Sequence, residues 1–152
     1  MANYPIQVFL KCTGALLLLT GVAKLHLVIV KFSLLRVTVD SISGLPLHVL
    51  LTGLGVFEAI LGVWLSFTSG KRAYLQCVVL ASFCATLLDY RVVGFLFDVA
   101  TPCPCLGFLG NILPHGLDRV LPPVAALIMM LGALWYIRSQ ALLHGSGKAV
   151  PA

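Results

Sequence analysis

Apolar residues in this chain gather into four long blocks, separated by short polar or Gly/Pro-rich stretches. The blocks cover residues 6–30, Leu47–Phe67, residues 73–97 and residues 120–137. Crossing a bilayer as a helix takes about 20 mainly apolar residues, and each block approaches or exceeds that length. Strict polar–apolar alternation is absent, which disfavours a β-barrel. The pattern predicts an all-α integral membrane protein, a four-transmembrane-helix bundle. Its membrane domain spans residues 1–140, and residues 141–152 form a short flexible C-terminal tail.

Helix punctuation supports this division. Ser41-Ile42-Ser43-Gly44-Leu45-Pro46 breaks the chain before the second span. Ser69-Gly70-Lys71-Arg72 reads as a tight turn that makes spans two and three antiparallel neighbours. A Pro- and Gly-rich loop over residues 98–118 joins spans three and four. Pro122 and Pro123 are expected in the opening turn of the last span, where missing N–H groups cost little. Residues 25–36 are apolar but carry His26, Lys31, Ser33 and Arg36, so this stretch is expected to lie in the interface. The first block is of span length and is followed by no small-x-small cleavage site, so it reads as a retained helix. Gly14 and Gly21 in span one, and Gly55, Ala59 and Gly62 in span two, are small residues at packing spacing.

Composition narrows the class. The residues AVILMFWYC make up 60 % of the chain before glycine is counted, against about 45–50 % with glycine in soluble domains. Charged residues are 10 %, where about 25 % is usual. A soluble globule of this size could not hide so much apolar surface. Five cysteines on so long and apolar a chain do not make a secreted disulfide scaffold. The net charge of +5 is scattered, with no basic run, which argues against nucleic-acid binding. With four spans, Lys11, Lys71, Arg72, Arg138 and Lys148 share one side, while Lys24, Lys31, Arg36 and Arg119 collect on the other. The positive-inside bias then favours cytoplasmic termini.

Chemistry enters with Thr101-Pro102-Cys103-Pro104-Cys105-Leu106-Gly107 in the loop between helices three and four. Pro104 drives Cys103 towards extended geometry, and residues i and i+2 of an extended stretch project to the same side. Two thiols are thereby held together at the membrane surface. One use is thiol–disulfide exchange, because a Cys-x-Cys disulfide closes a small, strained and easily reduced ring. A second is soft-metal binding, since adjacent thiolates suit copper(I). The third reading is two inert loop cysteines. His115 in the same loop is a candidate for lowering a thiol pKa, and also for simple solvation. Cys12, Cys77 and Cys84 lie in apolar blocks and read as packing residues.

Ionisable residues inside spans are costly and mark candidate sites. Lys24 is near the end of span one, Glu58 sits at the middle of span two, and Asp89 and Arg91 fall in the second half of span three. Counted from the helix ends, all four lie at or beyond mid-membrane on the half that carries Cys103 and Cys105. Glu58 is predicted to face inward and contact Lys24 or Arg91, because an unpaired mid-membrane carboxylate is expensive. A structural ion-pair network that locks helix register explains these residues equally well.

Together these motifs resemble the DoxX-like membrane proteins. Gly21-Val22-Ala23-Lys24-Leu25 is similar to their Gly-x-x-Lys-Leu helix end, and Glu58-Ala59-Ile60-Leu61-Gly62 to their Glu-x-x-x-Gly. The Cys103–Cys105 loop resembles the Pro-Cys-Gly-Cys-Phe-Gly loop of the methylamine utilisation protein E (MauE) branch, with Pro104 in place of Gly and Leu106 in place of Phe. The likeness spans roughly residues 10–137. It implies a membrane thiol–disulfide redox protein of the bacterial inner membrane that supports oxidative maturation of extracytoplasmic proteins, in the MauE case within methylamine metabolism. By this resemblance Cys103 and Cys105 form the redox pair, Lys24 and Glu58 are accessory intramembrane positions, and a thioredoxin-fold protein is the partner. Other four-helix redox proteins point by analogy to a quinone as electron carrier. Two alternatives remain: a non-catalytic subunit of a larger respiratory or maturation complex, and copper(I) handling through Cys-Pro-Cys.

Overall fold

A computed structural model describes residues 4–40, 42–67, 72–97 and 117–146 of the chain. Its helices follow the apolar blocks: α1 Tyr4–Val30, α2 Phe32–Val37, α3 Leu47–Phe67, α4 Ala73–Leu96 and α5 Leu117–Ser146. All but the short α2 are long and apolar enough to cross a membrane, and no strand occurs among the described residues. Large side chains such as Ile60, Phe95, Ile128, Leu131 and Trp135 stand exposed on the outer faces. Such a surface suits hydrocarbon and not water, and the chain is a multi-pass membrane protein.

The closest helix pairs are α1 with α3 and α4 with α5. In α1 the buried positions Leu10, Thr13, Gly14, Leu17, Gly21 and Lys24 recur every three or four residues, so they form one stripe. That stripe meets the glycines of α3. A Cβ on Gly62 would stand 2.6 Å from the Gly14 carbonyl oxygen, and one on Gly21 would stand 2.7 Å from that of Gly55. Antiparallel backbones therefore touch at two levels, two helical turns apart, and only glycine permits it. Cys12 falls off the stripe and is exposed, so the expected packing role holds for the fully buried Cys77 and Cys84 but not for Cys12.

Helices α3 and α4 are neighbours through long side chains instead of close backbones. Phe57 and Phe83 meet with ring centroids 5.2 Å apart, and Gln76 Nε2 donates to the Trp64 carbonyl at 3.2 Å. Leu61 and Leu65 of α3 share a core with Cys77, Leu80 and Cys84 of α4 and with Ala126, Met129 and Ala133 of α5. The antiparallel neighbour relation predicted for spans two and three is thus looser than the glycine-lined pair.

Three boundaries differ from expectation. The segment 25–36 is not one interfacial piece: α1 continues to Val30, the chain turns at Lys31, and α2 then buries Leu35 while exposing Phe32 and Leu34. Helix α5 starts at Leu117, ahead of the apolar span that opens at Val120, so Pro122 and Pro123 stand in the first turn of the span but the second turn of the helix. Having no N–H, they leave the carbonyls of residues 118 and 119 without their usual intrahelical donors. The same helix runs on to Ser146, which places the expected boundary at residue 140 inside it.

Between α2 and α3 a compact turn caps this end of α1 and α3. Val39 and Pro46 form an isolated antiparallel bridge, and the Asp40 N–H donates to the Leu45 carbonyl at 2.9 Å. Gly44 adopts φ of 68°, the left-handed region that glycine enters without steric cost.

Candidate functional site

Glycine contact brings α1 and α3 close enough for their mid-membrane charges to meet. With Gly21 opposite Gly55, Lys24 is level with Thr52 and Glu58 is level with Leu18. That offset is about 9 Å along the axes at the helical rise. Side chains lean towards the N-terminus of their own helix. In an antiparallel pair Lys24 and Glu58 consequently lean towards each other. Lys24 Nζ donates to Glu58 Oε1 in a buried ion pair. Lys24 is 3 % exposed and Glu58 2 %, so neither charge has water as an alternative partner, and separation would be costly. The inward orientation and the Lys24 contact expected from sequence are both present.

The pair lines a cavity of about 310 Å³ between α1, α3, α4 and α5. Leucines from α1, α3 and α4 are the commonest residues on its wall, and Pro122, Pro123, Ala126 and Met129 line it from α5. The remaining polar groups on the wall are Thr20, Thr86, Tyr90 and Arg91. Arg91 is half-buried and close enough to Lys24 and Tyr90 to act on both electrostatically. Asp89 is exposed and lies off the cavity wall. Of the four intramembrane residues singled out by sequence, three converge on one chamber and Asp89 does not.

One oxygen in this chamber has no donor among the described residues. Glu58 Oε2 is buried and accepts no hydrogen bond from a described residue. The Thr20 side chain lies beside the carboxylate, but its hydroxyl proton goes to the Leu17 carbonyl at 3.1 Å.

A second polar contact escaped the sequence reading. Tyr90 Oη donates to Asp40 Oδ1 at 2.5 Å, which straps the α2–α3 turn to α4 beside the cavity. Asp40 Oδ2 accepts from the Ser43 N–H and hydroxyl, both at 2.7 Å. Burial alone would raise the Asp40 carboxyl, but the hydrogen bonds from Tyr90 and Ser43 outweigh it and hold the group below the usual carboxylate range. Asp40-Ser41-Ile42-Ser43-Gly44 carries the side-chain pattern of a self-bonded turn, and that signal was present in the sequence. Its link to Tyr90, 50 residues further on, was not.

Cys103, Cys105 and His115 lie outside the described residues. The flanking segments are placed, however: Arg91 of α4 and Leu121 of α5 both line the cavity. No protein-family model, no curated protein and no solved structure matches the chain.

Proposed function

We propose that this chain is a membrane thiol–disulfide exchange protein whose redox pair is Cys103 and Cys105. The observation that carries the proposal is the Cys-Pro-Cys spacing in the segment that links two membrane spans. Supporting it, Cys77 and Cys84 are buried in the core and Cys12 stands apart on the outer face of α1. In the oxidative direction, a thiolate of a thioredoxin-fold partner attacks one sulfur of the Cys103–Cys105 disulfide. The S–S bond breaks, a mixed disulfide forms and the other cysteine leaves as thiolate. The partner's second thiol then resolves the intermediate, leaving the partner oxidised and this chain a dithiol. A two-electron acceptor of the membrane phase, a quinone by analogy, restores the disulfide. The resemblance to the MauE branch of the DoxX-like proteins agrees with this chemistry. The chemistry requires the loop to lie on the oxidising face of a bacterial inner membrane with both termini cytoplasmic, the topology that the positive-inside bias favours.

Thiol trapping across a series of glutathione ratios tests the proposal. One pair should be trapped, and it should vanish in Cys103→Ser or Cys105→Ser while surviving replacement of Cys12, Cys77 or Cys84. Its potential should lie above the approximately −300 mV that bounds structural disulfides. Thiols that stay reduced under every condition overturn the assignment, as does tight copper(I) binding at about one ion per chain, the stoichiometry expected of two adjacent thiolates. A stoichiometric membrane complex that survives the double serine variant would instead establish a scaffolding subunit.

A further inference from the structure

The cavity between the four long helices contains an incomplete hydrogen-bonding site within a largely apolar chamber. Glu58 is 2 % exposed, and its Oε2 has no donor among the described residues. An ionised buried oxygen left in this state is costly, so the geometry calls for a donor beyond the described residues. Lys24 Nζ, which carries three protons and gives one to Glu58 Oε1, faces the same chamber. The missing group must therefore donate to a carboxylate while standing beside an ammonium that can donate to it. A hydroxyl does both.

Charge excludes ionic heads. An anionic head would stand against Glu58 Oε2, and a cationic head would meet Lys24 with Arg91 close behind it. The rest of the wall is almost entirely hydrocarbon, and its roughly 310 Å³ falls within the range of small-molecule sites. We propose that this chamber binds a neutral, lipid-soluble molecule with an apolar body and a hydroxyl head. The hydroxyl donates to Glu58 Oε2 and accepts from Lys24 Nζ. The site uses neither Cys103 nor Cys105, so it stands whether or not the redox proposal holds.

The test uses the full chain in lipid nanodiscs, with para-hexylphenol as probe and its methyl ether as control. The two have nearly the same shape and apolar body, but the ether has no proton to give. Calorimetric titration, corrected with empty nanodiscs, should show saturable binding of the phenol and an affinity for the ether about tenfold weaker or more. That is the effect of leaving a charged acceptor without its hydrogen bond. Ala126→Leu, which adds bulk to a buried wall position of α5, should abolish binding of the phenol with helical circular dichroism unchanged. Equal affinity for phenol and ether would mean that the chamber takes up apolar material only, and would overturn the proposal. Absence of saturable phenol binding to the wild-type chain would overturn it too. The wild-type comparison decides even where the leucine variant fails to fold.

Discussion

Replacing Lys24 with methionine keeps most of the side-chain volume and removes the ammonium that holds Glu58 Oε1. Glu58 Oε2 already lacks a donor among the described residues, so the variant buries a carboxylate with neither oxygen paired to a described cation. The lost charge-assisted hydrogen bond alone is worth about 1.5–3 kcal/mol. Stranding its partner raises the total to about 3–5 kcal/mol, the usual cost of removing one half of a buried pair. Glu58→Leu strands the ammonium instead and should cost a similar amount. The double variant Lys24→Met/Glu58→Leu strands nothing and replaces the pair with apolar groups inside an apolar wall. It should be more stable than either single variant by about 2 kcal/mol or more, given that such exchanges are often neutral. Titration with dodecyl sulfate in mixed micelles, read by helical circular dichroism and by fluorescence of Trp64 and Trp135, measures all four proteins. Single variants that each cost under about 1 kcal/mol, or costs that simply add in the double variant, would refute the reasoning. Either result would mean that water or solvated headgroups reach the pair and substitute for the missing partner.

The same titration separates two glycines of α3. Gly62→Ala must push a methyl group into the α1 backbone and should cost about 1–3 kcal/mol, whereas Gly53→Ala meets nothing within 4 Å and should gain about 0.5–1 kcal/mol. Tyr90→Phe removes the strap to Asp40 and should cost about 1.5–3 kcal/mol, with little further loss on adding Asp40→Ala. Because the folded Asp40 carboxyl sits below its usual range, the unfolded chain takes up that proton first. Its stabilising contribution is therefore complete above about pH 4 and declines as pH falls through the folded value, and Tyr90→Phe should flatten this acid dependence. For sidedness, alkaline phosphatase fused after residue 137 should be inactive and fused within residues 98–118 active; the reverse pattern would invert the topology.

Sequence disclosed the parts of this architecture that depend on local composition. Each span is a continuous apolar run, so its existence and near-ends can be read from residue content. Glu58 and Lys24 were legible for the same reason, because charge in hydrocarbon has so few tolerable arrangements. Contacts that depend on how spans dock were less accessible. The glycine spacing marked α1 and α3 as packing faces, but nothing local showed that these two helices pair with each other more closely than either pairs with α4. Asp89 and Arg91 look alike in sequence. The helical twist between them turns Arg91 to the chamber and leaves Asp89 outside it. Asp40 and Tyr90 were overlooked because each is unremarkable alone, and only their meeting gives them a role. Helix α5 runs past its apolar block at both ends because polar residues flanking a span can extend its helix without adding to its hydropathy.

The antiparallel register of α1 and α3 also constrains the order of events during synthesis. Span one leaves the ribosome carrying Lys24, and the carboxylate that neutralises it lies 34 residues later. Inserted alone, a helix with a central lysine bears a penalty of about 2.5–3.5 kcal/mol on translocon scales. Lys24, nearer one end, can ease this by extending towards the headgroups. Glu58 faces its own penalty at the centre of its helix. Lateral release of the two segments as one hairpin cancels both charges at once and lets the glycine faces close in the same step. The nascent chain thus has a physical reason to hold its first span at the protein-lined exit site until the second arrives. Substitutions at Glu58 should accordingly show up as misinserted or degraded N-terminal segments in cells, before they show up as unstable purified protein.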